Sequence, residues 1–427
     1  MPTLGFEYRD NELHCENVPL SKIATACGTP CYVYSAGSIV SSYRAYTNAL
    51  SGVPHEIHYA VKANGSLGVL SLLAREGAGF DIVSGGELFR VLQAGGDASK
   101  IVFSGVGKTA AEMEYALASR IGYFNCESEP ELQLLHETAR RLGVEPSVAL
   151  RVNPDINAET HPYIATGLRD HKFGISFDHA EEIYLRWNAL PHLRFEGISC
   201  HIGSQIFDTG AFLEALEKVL ALAQKLCVEG VPIRHLDLGG GLGVAYRGED
   251  KAPSVSEYAG ALAGALHGRN LRLMLEPGRS IVGQAGVLLA SVLYRKAGGS
   301  KEFVIADAAM NDLIRPALYQ SHHEVLPVRR RGDATIQADI VGPVCETGDF
   351  LARDRAIEDV QSGDLLAVCT AGAYGFAQAS NYNARPRPAE VLVDGAEWTV
   401  IRDRESHADL IRGERILPAK SKPAGNG

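Results

Sequence analysis

Residues 195–243 read FEGISCHIGSQIFDTGAFLEALEKVLALAQKLCVEGVPIRHLDLGGGLG. Two short apolar runs, 195–201 and 233–238, flank a longer segment, 210–229, which is followed by Gly230. Apolar residues recur in the longer segment at the spacing of one helix face. They are Phe212, Leu213, Leu216, Val219, Leu220, Ala223 and Leu226. The stretch therefore predicts a strand, a helix and a second strand that ends in a glycine-rich loop.

The same alternation extends from residue 55 to residue 277. The predicted strands are 55–62, 79–83, 101–104, 121–126, 147–152, 195–201, 233–238 and 271–276. The predicted helices are 36–50, 67–76, 86–94, 109–119, 129–142, 179–189, 210–229 and 254–268. Eight strand-then-helix units in about 220 residues predict an α/β fold with a closed (βα)8 TIM-like barrel. An open doubly wound sheet is the alternative, and it fits this repeat number less well.

Beyond Pro277 the pattern changes to alternating strands and short turns, which is typical of a separate β-rich domain. The predicted strands are 281–295, 302–307, 335–341, 364–369 and 389–402, with turns at Gly298-Gly299 and Asp394-Gly395. The strand-like segment 31–34 is able to pair with this sheet. We therefore predict a barrel at 36–277, a sandwich-like or barrel-like β domain built from 1–35 and 278–417, and a disordered tail at 418–427.

Composition excludes several classes of protein. The chain has 427 residues with 41 basic and 51 acidic side chains, and its formal charge is −10. This balance argues against nucleic acid or an anionic membrane surface as the main partner. We find neither a signal segment nor an apolar run long enough to span a bilayer, so we expect a cytoplasmic protein. The eight cysteines show no Cys-x-x-Cys spacing, which indicates a reducing compartment and no metal site.

Four polar or glycine-rich motifs follow predicted barrel strands. Lys62 follows the first strand, His201 the sixth, Asp237-Leu238-Gly239-Gly240-Gly241-Leu242-Gly243 the seventh, and Glu276-Pro277-Gly278-Arg279 the eighth. Catalytic groups of such barrels lie at the carboxyl ends of the strands, so we expect these motifs at one mouth. A partly desolvated lysine can lose its charge and condense with an aldehyde such as that of pyridoxal phosphate.

Each motif alone has an ordinary explanation. A lysine at a strand end is usually a solvated charge, a single histidine usually packs, and a glycine-rich loop is usually a tight turn. Glycines without side chains also let backbone N–H groups approach a phosphate closely. Four such motifs on one rim are hard to explain as turns and packing, so we favour a functional site.

Six segments of the chain carry a family resemblance. They are Tyr59-Ala60-Val61-Lys62-Ala63-Asn64, Cys200-His201-Ile202-Gly203-Ser204-Gln205, Gly239 to Gly243, Glu276-Pro277-Gly278-Arg279, Gly342-Pro343-Val344-Cys345-Glu346-Thr347-Gly348-Asp349 and Gly372-Ala373-Tyr374-Gly375. In this order they resemble the fold-type III pyridoxal phosphate decarboxylases, most closely the members that act on diaminopimelate. The resemblance covers nearly the whole chain. It implies a barrel and a β domain assembled from both chain termini.

The resemblance also implies how the cofactor is held. Lys62 would hold pyridoxal phosphate through an imine, and Glu276 would keep a proton on the ring nitrogen, which favours decarboxylation over the racemase chemistry of related barrels. His201 would stack on the ring. The phosphate-binding residues would be Gly239, Gly240, Gly241, Gly278, Arg279, Ser204 and Tyr374. Asp81, in the second predicted strand, either contributes to the site or only fixes the rim.

The same resemblance implies an active site shared between subunits of a homodimer. Cys345 would come from the partner subunit and return a proton to the substrate, and Glu346 would bind the distal ammonium group, also in trans. The distal carboxylate of meso-diaminopimelate would be bound by Arg279, Arg315, Tyr319 and Tyr374. The expected reaction forms L-lysine and CO₂, the last step of lysine biosynthesis.

Two other functions stay open at this point. One is a decarboxylase of another basic amino acid, such as ornithine, D-ornithine or D-lysine. The other is a catalytically inactive relative that acts by binding a protein partner, although Lys62, Glu276 and Cys345 argue against it. The long polar connection 154–177 is also predicted to be a lid over the substrate.

Overall fold

A computed structural model describes residues 3–156, 172–188, 190–299, 301–332 and 334–418. Most of the predicted lid at 154–177 lies outside the described residues, and so does the predicted tail beyond residue 418. No described helix is long and apolar enough to cross a membrane.

Eight parallel strands close into a barrel, which confirms the predicted fold class. In chain order they are His55–Ala60, Gly79–Ile82, Ile101–Phe103, Tyr123–Cys126, Ser147–Val152, Arg194–Cys200, His235–Asp237 and Arg272–Leu275. The barrel helices are Ala36–Ala49, Leu67–Arg75, Gly85–Gln93, Ala110–Ala118, Glu129–Leu142, Phe177–Trp187, Thr209–Val228 and Val255–Leu266. Sequential strands are neighbours, and the eighth strand pairs with the first, where Leu273 lies opposite His55.

Local sequence explains why these segments adopt their structures. All six residues of the fifth strand, Ser147–Val152, are buried, as expected for a parallel strand covered on both faces. The helix at Ala110–Ala118 begins with a capping box in which Thr109 and Glu112 satisfy each other's backbone N–H groups. The helix at Glu129–Leu142 is followed by Gly143 in the left-handed region. Periodicity and capping therefore agree along the barrel.

The β domain uses both ends of the chain. Cys31–Ser35 lies between Gly286–Gly298, with which it is antiparallel, and Ala389–Asp394, with which it is parallel. This pairing confirms that an N-terminal segment completes the β-rich domain. The other strands of this sheet are Lys301–Ala306, Val325–Pro327, Thr335–Val341, Phe350–Glu358, Leu365–Val368 and Glu397–Arg402. A separate three-stranded sheet is formed by Phe6–Arg9, Glu12–Cys15 and Val18–Pro19.

Several elements differ from the sequence prediction. The predicted strand 281–295 begins only at Gly286, because residues Arg279–Val282 form a helical turn. The strand Phe350–Glu358 was not predicted, since several of its central residues are charged and exposed. The short helices Leu20–Cys27, Arg315–Tyr319 and His407–Leu410 were not predicted either. All eight barrel strands were predicted to within two residues at each end.

A glycine in the sixth barrel strand provides a test of the barrel packing. A Cβ added at Gly197 would lie 1.9 Å from Nε2 of the buried His235 on the neighbouring strand. We expect Gly197→Ala to destabilise the protein by about 1–3 kcal/mol through overpacking. A lower melting temperature in circular dichroism would be the readout.

Gly260 is the matched control for this substitution. It is an exposed helical glycine with no atom within 4 Å of an added Cβ. Gly260→Ala should leave the melting temperature unchanged or raise it, because alanine favours helix by roughly 0.5–1 kcal/mol over glycine. Equal melting temperatures for Gly197→Ala and the parent protein would contradict the predicted packing.

Candidate active site

Lys62 lies in a single 3₁₀ turn, Val61–Ala63, directly after the first barrel strand. Its Nζ atom donates a hydrogen bond to Asp81, which is fully buried in the second strand. The Lys62 side chain is 38% exposed, so the amine remains accessible while its partner is not. The structure thereby brings Asp81, which the sequence left undecided, into direct contact with the lysine.

The charge of Lys62 differs from the sequence expectation. Burial lowers the pKa of the amine, but the carboxylates of Asp81 and Glu276 outweigh burial and raise the pKa above its ordinary value. The loss of charge that the sequence analysis considered possible is therefore not favoured here. Instead, Lys62 is held as a cation in an ion pair with Asp81.

Glu276 follows the eighth strand and forms a hydrogen-bonded pair with Asp237, the last residue of the seventh strand. Burial, followed by the charge of Asp237, raises the pKa of Glu276 well above its usual value. Burial also raises the pKa of Asp237. Two buried carboxyl groups in contact cannot both ionise easily, so the pair holds a proton between them.

Two further side chains orient this carboxyl pair. Asn125 donates from Nδ2 to Oδ2 of Asp237 at 2.7 Å and to Oε1 of Glu276 at 3.4 Å. Ser104 donates to the same Oε1 at 3.2 Å. Sequence reasoning missed Asn125, Ser104 and the role of Asp237. Their signal was close to the one used for the other site residues, because Asp237 ends a barrel strand, Ser104 directly follows one, and Asn125 is the penultimate residue of another.

The glycine-rich loop forms a close backbone approach. A Cβ at Gly240 would lie 2.3 Å from the carbonyl oxygen of Glu276, and one at Gly241 would lie 2.5 Å from that of Gly203. Gly239 and Gly241 have φ values of +65° and +116°, which side chains disfavour. The loop thus requires glycine, and its bare backbone is suited to contact an anion.

His201 adjoins this loop at the end of the sixth strand. A Cβ at Gly239 would lie 2.7 Å from its Nδ1 atom, so the ring packs against the glycines. Desolvation, followed by the charges of Arg151 and Lys62, lowers the pKa of His201 well below its ordinary value. The ring is therefore a neutral, planar imidazole, which suits stacking on a flat ligand.

Arg279 and Arg315 form a buried cationic pair beside the loop. Each is 6% exposed, and neither forms an ion pair with an acidic side chain among the described residues. Arg279 donates to Ser204 Oγ at 3.0 Å and lies over the ring of Tyr374 at 4.8 Å. Arg315 lies over Tyr319 at 5.8 Å. Both arginines line a cavity of about 250 Å³ that also includes Tyr319.

Backbone contacts join the remaining predicted residues to this group. Tyr374 donates its N–H to the carbonyl of Ala63 at 2.8 Å, next to Lys62. A Cβ at Gly278 would lie 2.9 Å from Cβ of Ala63, which places this glycine against the same turn. The structure therefore brings together the predicted residues of the rim.

Cys345 and Glu346 lie in the β domain rather than on the barrel rim. Both are exposed, on the loop between the strands Thr335–Val341 and Phe350–Glu358. Asp349 fixes this loop by accepting from the N–H of Val344 at 2.7 Å, and Asn383 accepts from the N–H of Cys345 at 2.9 Å. The hydrogen bonds and ion pairs found within the described ranges include none between these two residues and Lys62.

The rim residues fit pyridoxal phosphate. They provide an accessible amine at Lys62, a protonated carboxyl pair at Glu276, a neutral planar ring at His201, and a glycine cradle beside a buried cation at Arg279. An aldehyde, a ring nitrogen, a flat ring and a phosphate group are the corresponding parts of the cofactor.

Comparisons with known proteins agree with this site. The family model described as "Pyridoxal-dependent decarboxylase, pyridoxal binding domain" matches residues 36–283. A diaminopimelate decarboxylase of Pseudomonas aeruginosa is 57% identical over 97% of this chain and 99% of its own. The fold and site thus define a pyridoxal phosphate-dependent decarboxylase. Within that class, the chain belongs to the diaminopimelate decarboxylase family.

Solved structures support the same assignment. Diaminopimelate decarboxylase from Helicobacter pylori, complexed with L-lysine, is 40% identical, with a TM-score of 0.89 over 92% of this chain and 98% of that chain. The enzyme from M. jannaschii, in co-complex with L-lysine, is 36% identical, with a TM-score of 0.92 over 98% of this chain and 99% of that chain.

The Glu276–Asp237 pair predicts a pH-dependent stability. Because the folded pKa of Glu276 lies above the unfolded value of about 4.3, the folded chain keeps a proton that the unfolded chain releases. Stability of the protein prepared without cofactor therefore falls as pH rises from about 5 to 8. Glu276→Gln keeps a donor for Asp237 and has no proton to lose. Its melting temperature should exceed that of the parent increasingly toward pH 8.

Glu214→Gln is the control for this measurement, since Glu214 is an exposed carboxylate on a surface helix. Its melting temperature should follow that of the parent at both pH values. A constant difference between Glu276→Gln and the parent across this pH range would show that the carboxyl pair does not hold a proton.

Proposed function

We propose that this chain decarboxylates meso-2,6-diaminopimelate to L-lysine and CO₂, the last step of lysine biosynthesis, with pyridoxal 5'-phosphate as cofactor. The relatives named diaminopimelate decarboxylase support the reaction. The observation that carries the substrate assignment is the buried pair Arg279 and Arg315, neither of which forms an ion pair with an acidic side chain among the described residues.

Pyridoxal phosphate, when bound, supplies an aldehyde that reacts with amines and a ring that accepts electron pairs. Lys62 would hold the aldehyde carbon, and Glu276 would face the ring nitrogen. His201 would cover one face of the ring. The phosphate would be bound by Gly239, Gly240, Gly241 and the backbone near Gly278 and Arg279, together with the hydroxyls of Ser204 and Tyr374.

Carboxyl groups of this chain would hold the protons that the proposed chemistry needs. The carboxyl pair of Glu276 and Asp237 holds a proton at a site where Asn125 and Ser104 fix the position of Oε1. A fixed, desolvated donor or acceptor needs little reorganisation when charge develops nearby. Asp81 would hold the Lys62 ammonium group in place through their ion pair whenever the amine is not bound to the cofactor.

The proposed substrate specificity follows from the positive charges of Arg279 and Arg315, which form no ion pair among the described residues. A substrate with a second carboxylate would compensate Arg279 and Arg315 through charge-assisted hydrogen bonds. Ornithine, D-ornithine and D-lysine lack this carboxylate and would leave both guanidinium groups buried without a counter-charge, which costs binding free energy. The arrangement therefore favours diaminopimelate over these amino acids. Tyr319 and Tyr374, which lie against the guanidinium groups, would line the same subsite.

We also propose a homodimer in which each site receives Cys345 and Glu346 from the partner subunit. Both residues are exposed on a loop that Asp349 and Asn383 hold in place, which suits groups that act outside their own subunit. Cys345 would donate a proton to the substrate carbon, and Glu346 would bind the distal ammonium group.

The eight cysteines are all free thiols, which supports a cytoplasmic location.

A comparison of substrates tests the proposed reaction. Purified protein with pyridoxal phosphate should form lysine from meso-diaminopimelate, and Arg315→Met should raise KM for this substrate by about tenfold or more, because a charged hydrogen-bond partner is lost. Ornithine, D-ornithine and D-lysine are the comparison substrates. Faster release of CO₂ from any of these three than from meso-diaminopimelate would refute the substrate assignment.

A hybrid experiment tests the shared site. Lys62→Ala and Cys345→Ala subunits are each expected to be inactive alone. Random pairing of equal amounts gives half hybrids, and each hybrid contains one site with both residues, so co-expression should restore about a quarter of the parent turnover. Lys62→Ala co-expressed with Glu276→Gln is the control, because both residues belong to the same subunit's site. No recovery in the first pair, or equal recovery in both, would exclude the trans arrangement.

A further inference from the structure

Tyr246 contacts both arginines of the cationic pair. It lies in the loop after the seventh barrel strand and is 6% exposed. Its hydroxyl oxygen accepts a hydrogen bond from Nη1 of Arg279 at 2.6 Å. The centre of its ring lies 5.9 Å from Cζ of Arg279 and 5.3 Å from Cζ of Arg315. Tyr246 is therefore a neighbour that the two guanidinium groups share.

The charges of this group act on the tyrosine as well. Burial raises the pKa of Tyr246, but the charges of Arg279 and Arg315 outweigh burial and lower the pKa. Like charges repel strongly in a desolvated setting. An electron-rich ring and a hydroxyl acceptor offset part of this repulsion, since both attract cations.

Tyr246 is itself held by the β domain. The ring of His323 meets it edge to face, with centroids 5.2 Å apart and an interplanar angle of 83°. His323 is fully buried, and its Nδ1–H donates to the carbonyl of Cys369 at 2.8 Å. Burial lowers the pKa of His323 to about 3, so the imidazole is neutral and adds no further positive charge. The tyrosine thus has a fixed orientation between the barrel and the β domain.

The two arginines come from different parts of the fold. Arg279 follows the eighth barrel strand, whereas Arg315 begins a short helix of the β domain, Arg315–Tyr319. The only other side-chain hydrogen bonds found for them in the described residues go to Ser204 and Ser321. Neither serine is shared by the pair, and among the described residues Tyr246 is the side chain that has a hydrogen bond or ring contact with both guanidinium groups.

We propose that Tyr246 is a positioning residue that holds Arg279 and Arg315 in the arrangement needed to bind a second carboxylate, and so determines the preference for a dicarboxylic amino acid. This inference rests on the proposed function. The tyrosine acts through the arginines and takes no part in the reaction of the other end of the substrate. Its loss should therefore affect ligands that carry the distal carboxylate and spare those that lack it.

Equilibrium binding to the cofactor-loaded enzyme separates the two ligand classes. L-lysine retains the carboxylate that was distal in the substrate, whereas cadaverine has none. In Tyr246→Leu we expect the Kd of L-lysine and the KM of diaminopimelate to rise by about tenfold, because the arginines lose their shared partner. The Kd of cadaverine and kcat should change by less than about threefold.

Tyr246→Phe tests the same idea with the ring retained. This substitution removes only the hydroxyl that accepts a hydrogen bond from Arg279, so the rise in the Kd of L-lysine should be smaller, about threefold. Tyr258→Phe is the matched control, because it removes a hydroxyl from another buried tyrosine that packs against Phe212 rather than the arginines. The cofactor absorbance and the melting temperature of each variant report on its folding.

A double variant tests whether the tyrosine acts through Arg315. If it does, Tyr246→Leu combined with Arg315→Met should raise the Kd of L-lysine by less than the product of the two single effects, since only the hydrogen bond between Tyr246 and Arg279 remains to be lost. Additive effects, equal losses for L-lysine and cadaverine, or an unchanged Kd in Tyr246→Phe and Tyr246→Leu would overturn the inference. A parent enzyme that does not convert diaminopimelate would overturn the proposed function instead, and the two failures are thus distinguishable.

Discussion

Hydrogen bonding between the first and eighth barrel strands is the constraint on which the site depends. Leu273 lies opposite His55 and Leu275 opposite Ile57, and this register closes the barrel. Closure brings Lys62, which follows the first strand, within electrostatic reach of Glu276, which follows the eighth. In an open sheet, a spacing of about 4.8 Å per strand would separate these two strands by roughly 34 Å. The chemistry of the rim therefore requires the complete ring of strands.

The closed rim gathers charges that are costly to bury, and the fold accommodates them in three ways. Lys62 is compensated by an ion pair with Asp81. Glu276 shares a proton with Asp237. The buried guanidinium of Arg279 has hydroxyl and aromatic neighbours but no described acidic partner. A buried charge without a counter-charge disfavours the folded state. An anionic ligand that neutralises Arg279 would remove this cost, and the gain would add to its binding free energy.

Periodicity predicted the barrel because each strand and helix has a local pattern, and strand ends indicated Lys62, His201 and Glu276. Partners across the barrel were harder to find. The pairing of Asp237 with Glu276 and of Lys62 with Asp81 depends on where side chains point after folding, which the spacing of residues does not encode. The raised pKa of Lys62 depends on the same kind of partners, Asp81 and Glu276, and spacing does not indicate them either. The strand Phe350–Glu358 was missed because its exposed face carries charges.

The central position of the N-terminal strand has a consequence for how the chain is made. Cys31–Ser35 is synthesised before the barrel, yet its parallel neighbour, Ala389–Asp394, is synthesised after it. During synthesis, both edges of this strand therefore stay unpaired while the barrel segment is made, because its two neighbours, Gly286–Gly298 and Ala389–Asp394, follow the barrel in the chain. Domains usually fold as units during translation, so this sheet would be completed after the barrel, once residues Ala389–Asp394 have been synthesised.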